Sequence, residues 1–177
     1  MKRILLALVF VSTLAAADRS SVTRQELASV EKSLDVGVRR LDPNDPYDLL
    51  GFTRGVYVPG YGVVLSAEVN LVITFISPFS PPPTGVRLTQ LREKKVRRLT
   101  AMRDWMRQAL VNAASTLDLP PNEEVVLGIT LFYRGFEERQ GLPGQIVMRA
   151  PRQKLLDFKD NRIGRAQLDA AILVNEL

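Results

Sequence analysis

The sequence predicts an α+β domain: an antiparallel sheet built from two hairpins, a long helix between them, and helices at both ends. Three observations carry this. Apolar residues recur at helical spacing in two separate stretches. Between these stretches, every second residue from Val63 to Phe75 is apolar, and the other face mixes Ser66, Glu68, Asn70 and Thr74 with Val64 and Val72. The two glycine-rich segments each lie between apolar runs of strand character, where a hairpin needs its turn.

The chain has 177 residues and begins with the three parts of a Sec-type signal peptide. Lys2 and Arg3 are the charged part, Ile4 to Val11 the apolar part, and Ala15-Ala16-Ala17 the small-residue cleavage pattern before Asp18. The apolar run is well short of the roughly 20 residues that span a bilayer. An uncleaved anchor is the rival reading. The expectation is therefore residues 1–17 as signal peptide and 18–177 as one exported domain, periplasmic or extracellular. No cysteine occurs anywhere, so a lipoprotein is excluded and the fold has no disulfide to lean on.

Thr23 and Glu26 form a capping-box pattern, and Leu27, Val30, Leu34, Val38 and Leu41 follow on one helix face. Asp42 to Asp48 is a proline-broken loop. Phe52 to Val58 reads as a short strand and Val63 to Phe75 as a longer one. Between them, VYVPGYGVV fits a hairpin turn: Pro59 sets φ for one turn position and Gly60 supplies positive φ for the next. A phosphate-binding glycine loop would have to feed a helix N-terminus, and here a strand follows. Ser77 to Gly85 holds four prolines and is a connector, with polyproline-type peptide recognition as its alternative. A helix from Val86 to Leu117 carries the stripe Leu88, Leu91, Leu99, Met102, Met106, Leu110, Ala113 and Leu117. Lys95 interrupts it. The expectation is that its stem lies on apolar surface while its ammonium stays in water. Val125 to Arg134 and Gln145 to Ala150 are the second hairpin, joined by the polar segment GFEERQGLPG. A short helix follows Pro151, and a last helix is predicted from Ile163 to Asn175. This element order is similar to that of profilin-like and roadblock-like domains, a likeness of order that carries no function.

The segment Arg54 to Asn70, RGVYVPGYGVVLSAEVN, resembles a segment of uncharacterised exported bacterial proteins with a tyrosine, a PGYG-like turn and a following strand. The resemblance covers 17 residues. It implies export and a shared domain, and it transfers no catalytic residue.

Composition removes many chemistries. With no histidine and no cysteine, neither a Ser-His-Asp triad nor a Cys-His dyad can form, and the usual zinc ligands are missing. No cofactor, no metal site and no nucleic-acid partner are expected. A weak cation site at Asp42, Asn44, Asp45 and Asp48 is less apt than loop capping. Carboxylates remain: Glu68, Glu123, Glu124, Glu137 and Glu138, all read as surface charges. Glu68 is the best of them for a hydrolase acting on an envelope glycan. A Ser-Lys dyad at Ser66 has no supporting motif.

The net charge is +5, and loss of Lys2 and Arg3 would lower it by two. On the long helix, Arg87, Lys94, Arg98 and Trp105 fall within about 40° of one another at 100° per residue. That stripe, with Tyr57 and Tyr61 of the turn, is the candidate binding surface. The sequence thus points to an exported, non-catalytic binding or assembly module of a bacterial cell envelope. Its partner is a protein or an anionic component, a membrane surface included. The oligomeric state is left open.

Overall fold

A computed structural model of the chain describes residues 22–74 and 84–177. The expected signal peptide and most of the proline-rich connector lie outside the described residues. The first helix, α1 (Arg24–Arg40), opens with the capping box: the Glu26 N–H donates to Thr23 Oγ1, and the Thr23 N–H donates to Glu26 Oε2. Leu27, Val30, Leu34 and Val38 are buried, as their spacing requires. After β1 (Asp48–Leu49) come β2 (Arg54–Val58) and β3 (Gly62–Asn70), an antiparallel hairpin. The long helix α2 (Val86–Thr116) leads to the second hairpin, β4 (Glu124–Leu131) and β5 (Gln145–Pro151). Two short helices, α3 (Arg152–Lys159) and α4 (Arg165–Ala171), precede β6 (Leu173–Glu176).

The α+β class holds, and both hairpins are antiparallel. They join side by side through a parallel ladder, Gly62↔Glu124 to Val69↔Leu131, so the six-stranded sheet is mixed. Two strands running the same way need a crossover connection, and α2 supplies it. The sheet residues Val63, Leu65, Val69, Val125, Leu127, Ile129, Ile146 and Met148 form one core with residues from all four helices.

Two element boundaries depart from the sequence reading. Strand β3 stops at Asn70, not Phe75, because the Asn70 Oδ1 accepts the Val72 N–H and turns the chain. Phe75 itself lies outside the described residues. The last predicted helix ends at Ala171, and Leu173–Glu176 adds to β5 as a sixth strand. Arg103 of α2 holds its Glu176 with two hydrogen bonds of 2.6 and 2.9 Å.

The β2 edge is closed by carboxylates from α1. Glu31 and Asp35 sit one turn apart on the face turned to β2. Asp35 accepts the Thr53 N–H and Glu31 the Gly55 N–H, both at 2.8 Å. Arg24 donates to both oxygens of Glu31 at 2.7 Å. An edge strand normally offers such N–H groups to another chain; here the protein consumes two of them. Gly55 permits the close approach, since a Cβ there would stand 2.7 Å from Leu27 Cδ1.

Two predictions follow from these contacts. A Cβ at Gly62 would lie 1.9 Å from the Glu124 carbonyl oxygen, and its φ is 135°. Gly62→Ala should cost more than about 3 kcal/mol in urea unfolding. Gly60→Ala, with φ 81° and open space around it, should cost only about 1 kcal/mol. The Arg24 guanidinium, hydrogen-bonded to Glu31, holds that carboxyl below the usual range. A depressed folded pKa gives stability that is present above the unfolded value and lost as pH falls through the folded one. Glu31→Gln should therefore flatten the loss of stability below about pH 4.3, measured as urea midpoints between neutral and acid pH.

Candidate functional site

The PGYG turn is held from below by β4. The buried Glu123 accepts the Gly60 N–H at 2.8 Å and the Tyr57 hydroxyl at 3.3 Å, both on Oε1. The Glu124 N–H donates to the Tyr61 carbonyl at 2.8 Å. Glu123 is thus an internal anchor of the hairpin, a correction to its reading as a surface charge. Burial and the Glu123 carboxylate push the Tyr57 hydroxyl pKa up. Tyr57 lies on the core side, opposite Val63, whereas Tyr61 is exposed and reaches Arg149. The two turn tyrosines do not converge on one site.

The basic stripe is partly spent inside the molecule. Lys94 and Arg98 both pair with Asp45 of the loop after α1. Arg98 is buried; it stacks 3.9 Å from the Tyr47 ring and donates to the Asp45 carbonyl. Asp42 meanwhile accepts the N–H groups of Asn44 and Asp45, the loop capping expected of it. Trp105 packs on Gly37 of α1, where a Cβ would stand 2.7 Å from its indole nitrogen. Arg87 alone of the stripe's cations is exposed.

Lys95 is the largest departure. Its side chain is 1% exposed, and its ammonium pairs with Glu137 of the β4–β5 connection. It also donates to the Phe132 carbonyl at 3.3 Å and lies 4.6 Å from the Tyr133 ring centre. The expectations of a wet ammonium and of a solvated Glu137 are both corrected. Burial lowers the Lys95 pKa, and Glu137 opposes that. Arg92 fastens the same connection by donating to the Gln140 carbonyl at 2.7 Å. A cavity of about 320 Å³ remains between α2 and this connection, walled by Leu88, Leu91, Phe136 and Leu142. Lys95 lines this cavity, with two of its three ammonium donors given to Phe132 and Glu137.

The second face of the sheet is different. The register sets Val56, Val64, Val126, Arg149 and Leu173 in one row across five strands. The next row is Arg54, Ser66, Gly128, Val147 and Asn175. Bridge partners share a side of the sheet, and this side is the one turned away from the core residues. Val56 is 54% exposed and Leu173 52%. Gly128 stands at the middle, and a Cβ there would meet nothing closer than 3.8 Å. The centre of the face is thus a shallow dip flanked by valines. Sequence alternation placed Ser66 and Glu68 on this side, but the five-strand apolar row depends on register and stayed hidden.

Comparison with protein-family models, with curated proteins and with solved structures gives no match.

The buried pair yields a stability test. Glu137→Gln leaves an ammonium buried without a counter-charge and should cost about 3 kcal/mol. Replacing both partners, Lys95→Met with Glu137→Leu, should restore most of that loss. Urea unfolding of Lys95→Met, Glu137→Leu and the double variant closes the cycle.

Proposed function

We propose that this chain is an exported, non-catalytic assembly module that holds a protein partner on the open face of its sheet. One observation carries the reading: among the described residues no helix packs against the row Val56, Val64, Val126, Arg149 and Leu173, which crosses five strands and is apolar at four of its five positions. Its ends, Val56 and Leu173, are exposed, and apolar surface of that extent marks an interaction site. Export rests on the leader-like N-terminus. The basic helix is the weaker docking surface, since Lys94 and Arg98 already pair with Asp45.

The hydrolase reading has one observation behind it. Asp48 pairs with Asn70, two residues along β3 from Glu68. Their backbones then stand roughly 8 Å apart on one side of the sheet, within the reach of a carboxylate pair. Glu68 is exposed, however, and a general acid needs apolar surroundings to keep its proton. The assembly reading is preferred for that reason.

Photo-crosslinking amino acids at Val56 and at Leu173, introduced in the native cells, test the proposal. Protein adducts should form from both positions and not from Ser33, exposed on α1. Equal labelling at all three, or none at the sheet positions, would refute it.

A further inference from the structure

We infer that the partner on the open face is a second copy of this chain, packed sheet to sheet about a two-fold axis along β4. This inference rests on the assembly reading above and names its partner. Along this row two strands flank β4 on each side, β3 and β2 on one and β5 and β6 on the other, with β1 pairing the far end of β3. Rotation about β4 lays Val56 over the second copy's Leu173 and Leu173 over the second copy's Val56. Val126 and Gly128 meet their own copies. Such self-matching is what an isologous interface requires.

Charge points the same way. Across the six strands this face carries Arg54 and Arg149 against Asp48, Glu68 and Glu124, a net of −1 and so close to neutral, on a chain of net charge +5. Two copies of a cationic protein repel least through a neutral face, and an acidic partner would find no attraction there. The rotation sets Arg54 opposite Asn175, Glu68 opposite Gln145 and Arg149 opposite Val64, while Glu124 meets its own copy. Glu124, near the axis, is already paired with Arg149 at 2.9 Å.

Size is adequate for a modest dimer. Five strands at ~4.8 Å and ladders averaging about six pairs at ~3.3 Å give roughly 24 by 20 Å of plane. Side-chain relief raises that toward the roughly 800 Å² per partner of a standard interface. The dip at Gly128 lets the two sheets approach closely at the centre, and aligned sheets pack with strands about 30° apart.

Sedimentation equilibrium of the purified mature chain, across roughly a hundredfold range of micromolar concentration, should show a monomer–dimer equilibrium. Val56→Glu should weaken it at least about tenfold, and Val56→Leu should not. Val56 is exposed, so neither change threatens the fold, which circular dichroism checks. The chain has no cysteine, so a single one reports cleanly. A short bismaleimide should join copies through Thr130→Cys, exposed on β4 beside the axis, and not through Ser33→Cys. A monomer at every concentration would overturn the inference, and so would a dimer indifferent to Val56→Glu. A monomer that still gives Val56 adducts with a different protein overturns the second copy alone. A monomer without such adducts overturns the assembly reading as well.

Discussion

The parallel ladder between β3 and β4 is the constraint from which the architecture follows. A turn cannot join strands that run the same way. The chain has to travel back along the sheet, and α2 makes that journey in 31 residues, about 46 Å of helix. Eight paired residues of sheet are only about 26 Å long. The helix therefore overhangs the sheet, and its first turns have no strand beneath them. The β4–β5 connection fills that space. Lys95 and Arg92, on those overhanging turns, are the residues that hold it.

Buried charge does the fastening at each place where elements distant in sequence meet. Glu31 and Asp35 tie α1 to the β2 edge, Glu123 ties β4 to the first turn, and Lys95 with Glu137 ties α2 to the second connection. Such groups add little net stability, because desolvation offsets most of their attraction. They do penalise every arrangement that leaves one of them unpaired. In a chain without disulfides, that penalty helps to select one packing of the elements.

What was legible in the sequence was what local pattern decides. The capping box of α1, the span of α2 and the two hairpins are each written within a few residues. The parallel joining of the hairpins, the reversal at Asn70 and the strand Leu173–Glu176 are not. Val174 and Asn175 continue a helical spacing from Ile172, and only pairing with β5 and the clamp by Arg103 make that segment extended. Lys95 looked like a snorkelling lysine because its counter-charge lies 42 residues away, in a segment read as solvated. The candidate stripe shows the same limit: helical angles place Lys94 and Arg98 together, but only the fold brings Asp45 to them. The apolar row on the open face is a property of register, so no single strand displays it.

The two candidate surfaces differ in what their polar groups are already doing. Cations available to an outside partner have to be free of inside counter-charges, and Asp45 pairs with two of the stripe's three. On the sheet, the occupied groups favour binding. Arg149 and Glu124 neutralise each other and leave the valines around them as the exposed feature. The backbone of the β2 edge is taken by Glu31 and Asp35, so a partner gains little by adding a strand there. It gains more by covering the face, where Val56 and Leu173 expose apolar surface, while Val63, Leu65, Leu127 and Met148 on the other face are buried in the core.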